Sequence, residues 1–386
     1  MRIALSNGRI LSGDSIVSGQ TLLLESGRIE ALVPAADPRC RAAQRIDLEG
    51  QLLLPGFIDV QVNGGGGVLF NDDPSLESIR AIGAAHRQFG TTGFLPTLIS
   101  DDLDTIGRAI AAVQSSLDIH LPGVLGIHIE GPFLNWARRG VHDPKHLRLL
   151  DSGVVSLLCR LRGGRTVLTL APEMTTTDMI ARLAAGGILI SAGHSDANFS
   201  QTSAAIAHGV RGFTHLFNAM APLAPREPGI VGAALYDANT WCGIIVDGHH
   251  VDPVMLKLAL RCKRHDRFML VTDAMPAVGS PEPSFVLQGR TITVEDGVCR
   301  DENGTLAGTA LDMASAVRNA VSLLGLRIEE AARMASEYPA EFLGLESELG
   351  RIAPGFRANL VLLDDELQVR RTWIDGLTSE IGDKNK

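Results

Sequence analysis

Four side chains able to bind a metal ion or carry a proton stand where four apolar runs stop. Glu130 follows Val124-Leu-Gly-Ile-His-Ile129, His194 closes Ile188-Leu-Ile-Ser-Ala-Gly-His194, His215 closes Gly212-Phe-Thr-His215, and Asp273 closes Phe268-Met-Leu-Val-Thr-Asp273. A short apolar run rich in β-branched residues and ended by a turn reads as a buried strand, and Gly131-Pro132 supplies the turn directly after Glu130. Each of the four residues therefore falls at the C-terminal end of a strand. One glutamate with two neutral imidazoles suits a catalytic zinc ion, which takes three protein ligands and keeps a position open. An aspartate beside them can accept a proton from water and return it to a leaving amine. The chemistry implied is metal-assisted hydrolysis; the plainer alternative is four unrelated polar residues at strand exits.

Strand ends meet only if the strands share a sheet, and the pattern of the chain provides one. Apolar runs at residues 57–61, 93–97, 124–129, 167–171, 188–192, 212–214, 242–246 and 268–272 alternate with helical stretches, including 74–89, 103–117, 177–185, 199–207 and 252–264. Eight such units have the size of a (β/α)₈ barrel of the TIM type, whose active site lies at the C-terminal ends of the strands. Residues 285–299 read as a hairpin turning at Asp296-Gly297, ahead of helices near 311–323 and 328–343. Both ends of the chain have a short-strand texture, at residues 2–5, 20–24 and 28–33 and again within 350–374. Neither end holds enough apolar surface for a core of its own. The expectation is an α/β protein with a small β-sandwich domain built from both termini, residues 1–53 plus 351–386, and a catalytic barrel at 54–350.

Composition narrows the partners. With 386 residues, 45% hydrophobic and 20% charged, the chain is globular, and its net charge of −9 without a polybasic run argues against nucleic acid and membrane surfaces. An anionic ligand must then be held by local donors. The N-terminus lacks the pattern of a secretory signal and no apolar run reaches 18 residues, so a cytoplasmic location is expected. Five scattered cysteines with no Cys-x-x-Cys pair indicate neither a disulfide framework nor a thiolate zinc site. The run Gly64-Gly-Gly-Gly67 lacks the Lys-Ser/Thr of a phosphate loop and reads as a flexible loop over the site.

The segments Pro55-Gly-Phe-Ile-Asp59, His128-Ile-Glu-Gly-Pro-Phe133, Ser191-Ala-Gly-His-Ser195, Thr214-His-Leu-Phe-Asn-Ala-Met220, Val246-Asp-Gly-His-His250 and Val271-Thr-Asp-Ala-Met275 occur in this order over nearly the whole chain. In that order they resemble the amidohydrolase superfamily and, within it, the N-acetylglucosamine-6-phosphate deacetylases. The resemblance implies hydrolysis of the acetamide of a small amino-sugar phosphate to amine and acetate. It marks Glu130, His194 and His215 as metal ligands and Asp273 as the general acid/base, in agreement with the reading from the residues alone. It further implies that His142, on its own a loop histidine without a role, helps polarise the amide carbonyl. Substrate contacts are implied for Val141, His142, Asn218, Ala219 through its backbone, and the segment Leu306, Ala307 and Gly308, which otherwise reads equally as a turn. Arg226 and His250 are implied near the phosphate; a guanidinium fork suits that group, while a bare loop arginine is commonly a solvated charge.

Many amidohydrolases carry His-x-His after the first strand, where this chain has Gln61-Val-Asn63. Neutral amides are poor zinc ligands, so one divalent ion per chain, zinc, is expected, and the resemblance favours a homodimer or larger assembly. The rival readings are a deacetylase of a related sugar such as the galactosamine epimer, another amidohydrolase acting on a cyclic or acylated amine, and, from another class, a barrel that binds without catalysing.

Overall fold

The computed structural model describes residues 2–378. Its centre is one sheet of eight parallel strands: β1 Phe57–Val62, β2 Thr91–Ile99, β3 Gly126–Glu130, β4 Arg165–Leu170, β5 Leu189–Ala192, β6 Val210–Phe213, β7 Trp241–Ile244 and β8 Phe268–Leu270, each bonded to the next. The ring closes just past β8, where Val62 bridges Ala274 and the Asp273 N–H donates to the Gln61 carbonyl at 3.0 Å. This is the (β/α)₈ barrel read from the sequence. All nine residues of β2 and all six of β1 are buried, as expected of parallel strands with helices on one face and the barrel interior on the other.

The surrounding helices are α1 Leu76–Arg87, α2 Leu103–Asp118, α3 Ser152–Leu158, α4 Thr177–Ala185, α5 Phe199–Ala207, α6 Gly229–Tyr236, α7 Pro253–Cys262, α8 Met313–Ser322, α9 Ile328–Ala335 and α10 Glu337–Leu343. Side-chain oxygens satisfy first-turn amides where the sequence offers them: Ser75 accepts from Ser78, Asp102 from Thr105 and Asp312 from Ser315. Two of these helices, α3 and α6, were not legible as periodic stretches. Residues 229–234 of α6 are all buried, so it has no polar face to set a period. The single stretch expected over 328–343 is two helices, because Ser336, at φ −137° and ψ −64°, interrupts the helical backbone between them.

The chain ends form two further sheets, the first from N-terminal strands alone and the second from strands of both ends. One orders Arg28–Pro34, Gln20–Glu25, Arg2–Ser6 and Gln44–Asp47; the other orders Leu377–Thr378, Val369–Ile374, Leu360–Leu363, Leu52–Pro55, Arg9–Ser12 and Ser15–Val17. Period-two alternation explains why the second is apolar throughout its centre. Leu53, Leu360 and Leu362 join Leu5, Leu22 and Trp373 in a core shared by the two sheets, while Leu52, Leu54, Val361 and Leu363 join the barrel's core. The sheet is thus buried on both faces.

The glycine run is not the flexible loop expected. Gly64–Gly65 pairs with Val68–Leu69, and the amides of Gly64, Gly66 and Gly67 donate to the carbonyls of Ala274, Val278 and Pro276. A Cβ at Gly64 would lie 2.4 Å from the Val68 carbonyl oxygen, so close backbone approach is what the glycine permits here.

Gly126 has the same kind of role at the start of the strand that carries Glu130. It enters β3 at φ +155°, and a Cβ would lie 1.9 Å from the Arg165 carbonyl oxygen on β4. Gly126→Ala is expected to push the two strands apart and to lower the unfolding midpoint, at a cost on the order of 1–3 kcal/mol or more. An unchanged midpoint in thermal or urea unfolding would show that the β3–β4 register does not depend on this contact.

Candidate active site

The four strand-end residues converge. Glu130 is the last residue of β3, and His194, His215 and Asp273 lie two or three residues past the ends of β5, β6 and β8. Their backbones leave the strands in a left-handed turn, with φ of 48° at His194, 32° at His215 and 53° at Asp273. Side chains other than glycine rarely adopt this region, and such strain persists where the surrounding structure over-determines it. It aims all three side chains inward across the top of the barrel. Glu130 Oε1 lies 3.1 Å from His194 Nε2 and 3.0 Å from His215 Nε2, and the two Nε2 atoms are 3.0 Å apart. All three residues are buried.

Hydrogen bonds decide which ring atoms face inward. The His194 Nδ1 is 2.9 Å from the Arg138 carbonyl, which can only accept, so Nδ1 carries the proton and Nε2 presents a lone pair. A lone pair aimed at a carboxylate and a second imidazole nitrogen is the donor set a divalent cation takes, and the three ligand atoms fit one ion.

Asp273 is tied to the positions where a second metal's histidines would stand. Its Oδ1 accepts from Gln61 Nε2 at 3.1 Å and from Asn63 Nδ2 at 2.7 Å, and the Gln61 amide also lies 3.2 Å from Glu130 Oε2. One amide therefore sits as a donor between two carboxylates. Burial, and then the charge of Glu130, raise the Asp273 pKa above the ordinary aspartate range. Such a shift suits a group that must both take and give a proton.

His142 faces the same cavity, with its ring centroid 4.6 Å from that of His194. Its Nδ1 lies 3.2 Å from the Ser100 backbone nitrogen and 2.7 Å from the Ser100 hydroxyl. The backbone N–H can only donate, so Nδ1 is the acceptor and the proton is on Nε2. Burial, followed by the neighbouring imidazole of His194, lowers its pKa to about 3. His142 is thus a neutral ring that offers an N–H donor.

The cavity has a volume of about 360 Å³ and is lined by Val141, His142, Asn218, Ala219, His250, Leu306 and Gly308, together with the four strand-end residues and Asn63. Ala307 is buried beneath its neighbours. Residues 306–308 belong to a strand, the fourth of an antiparallel sheet inserted after the barrel: β9 Ser284–Leu287, β10 Arg290–Glu295, β11 Val298–Arg300 and β12 Leu306–Thr309. Arg226 is exposed on the loop before α6 and does not line the cavity of its own chain.

Sequence reading left several partners unassigned. Asp247 Oδ2 lies 2.6 Å from His250 Nδ1, and the short spacing of the two residues was the available signal. Ser100, which fixes the His142 tautomer, comes from the loop after β2 and has no sequence signal. Glu173 accepts from Asn135 Nδ2, the Ser195 hydroxyl and the Asp196 N–H, lacing together the loops after β3, β4 and β5.

The sequence profile of the amidohydrolase family matches residues 52–378. The chain belongs to the amidohydrolase family. Among members of this family, it is 48% identical over 324 residues to N-acetylgalactosamine-6-phosphate deacetylase of Shewanella sp. (strain ANA-3), covering 84% of this chain and 82% of that one. It is 36% identical over 383 residues to N-acetylglucosamine-6-phosphate deacetylase of Haemophilus influenzae, covering 98% and 100%. The crystal structure of N-acetylglucosamine-6-phosphate deacetylase from Pasteurella multocida matches with a TM-score of 0.95 at 36% identity, over 98% of this chain and 100% of that one. Amidohydrolases are metal-dependent, and Glu130, His194 and His215 give this one a possible metal site.

The state of His142 is directly observable. Its unfolded ring takes up a proton near pH 6.5 while the buried ring does not, so protonation opposes folding as the pH falls below that value. Nitrogen-15 NMR of the histidine rings should find a neutral ring with the proton on Nε2 from about pH 8 down to about pH 5. A titration near pH 6.5, or a proton on Nδ1, would contradict the arrangement with Ser100.

Proposed function

We propose that the protein hydrolyses the acetamide of N-acetylglucosamine 6-phosphate, releasing acetate and glucosamine 6-phosphate. The observation that carries this reading is the meeting, in one cavity, of a three-residue metal site, an aspartate with a raised pKa and a histidine whose tautomer is fixed as a donor. Glu130, His194 and His215 are the ligands of one divalent ion, zinc. When bound there, such an ion supplies Lewis acidity toward the amide carbonyl and the attacking water. The His142 Nε2–H donates to the carbonyl oxygen as negative charge develops on it. Asp273 takes a proton from the water as its oxygen attacks the carbonyl carbon. It then delivers that proton to the nitrogen as the carbon–nitrogen bond breaks, leaving acetate and a free amine.

Asn218, Ala219, Val141 and residues 306–308 hold the sugar, and His250, oriented by Asp247, faces the phosphate. Arg226 completes the phosphate site. Since its guanidinium is exposed and outside its own cavity, it reaches the ligand only if its loop closes or a second copy supplies it, and the latter fits a homodimer. The chemistry belongs to residues 54–350, while the described parts of the two ends, residues 2–53 and 351–378, act as scaffold; the remainder of the expected terminal segments, residue 1 and residues 379–386, lies outside the described residues. No helix among the described residues is long and apolar enough to cross a membrane, and we assign the enzyme to the cytoplasm. A second reading, the galactosamine epimer as preferred substrate, draws support from the 48% identity to the Shewanella protein of that name.

An acetate-release assay on both N-acetylhexosamine 6-phosphates and their unphosphorylated sugars tests the reading. The glucosamine derivative is expected to have the highest kcat/KM and the unphosphorylated sugars the lowest. Faster turnover of the galactosamine derivative would replace the substrate with its epimer, and acetate from none of them would reject the function. Asp273→Asn, nearly isosteric and unable to shuttle the proton, is expected to keep its fold and lose about 10²- to 10⁴-fold in kcat. Activity within a few-fold of wild type would remove Asp273 from the mechanism.

A further inference from the structure

The hairpin between β9 and β10 turns in two residues, Gln288 and Gly289, with φ of 48° and 83°. Positive φ at both positions is the signature of a type I′ turn, for which Asn-Gly or Asp-Gly is the favoured pair. Glutamine lacks the short side chain that lets Asn and Asp occupy the left-handed region at low cost. Its presence needs a reason outside the turn.

The side chain gives that reason. Gln288 Oε1 accepts the Asp143 N–H at 2.7 Å, and Nε2 donates to the Ser100 carbonyl at 3.0 Å. These groups belong to the peptides immediately after His142 and Ser100, the pair whose contact sets the His142 tautomer. A single amide therefore clamps both members of the pair. The same hairpin is seated on them by packing: Leu287 clusters with Ile99, Met275 and Ala307, and Val141 lies against that cluster. Leu287 also lines the cavity, as do Leu306 and Gly308 on β12 of the same sheet.

We propose that Gln288 is a positioning residue, whose amide locks His142 and Ser100 to the inserted sheet so that the carbonyl's hydrogen-bond donor and the strand lining the sugar are set in place together. The inference rests on the deacetylase reading, in which the His142 Nε2–H meets the substrate carbonyl. Asn at this position is the better turn former but is one methylene too short to span both peptides. Glu keeps the length and can still accept from Asp143, yet it turns an acceptor toward the Ser100 carbonyl.

Gln288→Asn separates turn from clamp. It is expected to keep or raise the unfolding temperature while kcat falls about 10- to 100-fold, the scale of a displaced catalytic group, with little change in KM. Gln288→Glu is expected to lose kcat likewise. In a His142→Asn background the Gln288→Asn change should cost almost nothing further, because groups acting through one another are not additive. Wild-type kcat in Gln288→Asn would overturn the proposal, as would an equal further loss in the absence of His142. Hydrogen exchange gives a reading independent of any substrate: the Asp143 amide should exchange at least about tenfold faster in Gln288→Asn, having lost its acceptor, and unchanged protection overturns the clamp. A wild-type protein that releases no acetate from either amino-sugar phosphate would reject the deacetylase reading. An active wild type with an unaffected Gln288→Asn would reject only the clamp.

Discussion

Two imidazole nitrogens and a carboxylate oxygen held about 3 Å from one another and buried from water form an arrangement that a positive charge must stabilise. The remainder of the catalytic face serves to hold these atoms together. Parallel strands deliver the three residues to one end of the barrel, and left-handed turns at His194 and His215 rotate the rings inward at a cost in backbone strain. The Arg138 carbonyl fixes one ring, and Glu173 ties the loops after three strands into a single frame. A protein that keeps such strain around a buried set of metal donors is organised for chemistry rather than for packing.

Beside that set stands a second carboxylate, and two buried carboxylates repel. Gln61 and Asn63 moderate the repulsion by donating from neutral amides, Gln61 to both acids and Asn63 to Asp273 alone. Both donors meet Asp273 Oδ1, so in the proposed reaction it is Oδ2 that carries the proton. Deeper in the barrel, Asp59 is fully buried and accepts from the Thr272 hydroxyl and the Gln61 N–H. Burial drives its pKa up to about 7. It braces both sides of the β1–β8 seam, the seam that carries Gln61 and Asp273.

The barrel was legible because parallel strands buried on both faces leave apolar runs, and because each run that feeds the site ends in one ionisable residue. All eight strands, and the convergence of Glu130, His194, His215 and Asp273, follow from that pattern. Helix α6 was hidden because burial on nearly every side erases amphipathic period, and α3 because it is only seven residues long. The glycine run misled because glycine serves tight clamping as well as looseness, and only the facing backbone of residues 274–278 distinguishes the two. Ser100 and Gln288 were invisible for another reason. Their roles lie in contacts between segments 42 and 188 residues apart, and neither residue type marks such a contact in sequence.

The number of metal ions the site needs is the property that decides most directly between one-ion and two-ion chemistry here. Chelator-stripped protein titrated with zinc, with bound metal and acetate release followed in the same samples, measures that number. Both signals should saturate together at about one equivalent per chain, since a catalytic zinc requires only the three ligands that converge here. Activity that appears only as a second equivalent binds would contradict the account, because Gln61 and Asn63 would then be ligands rather than the amides that hold Asp273.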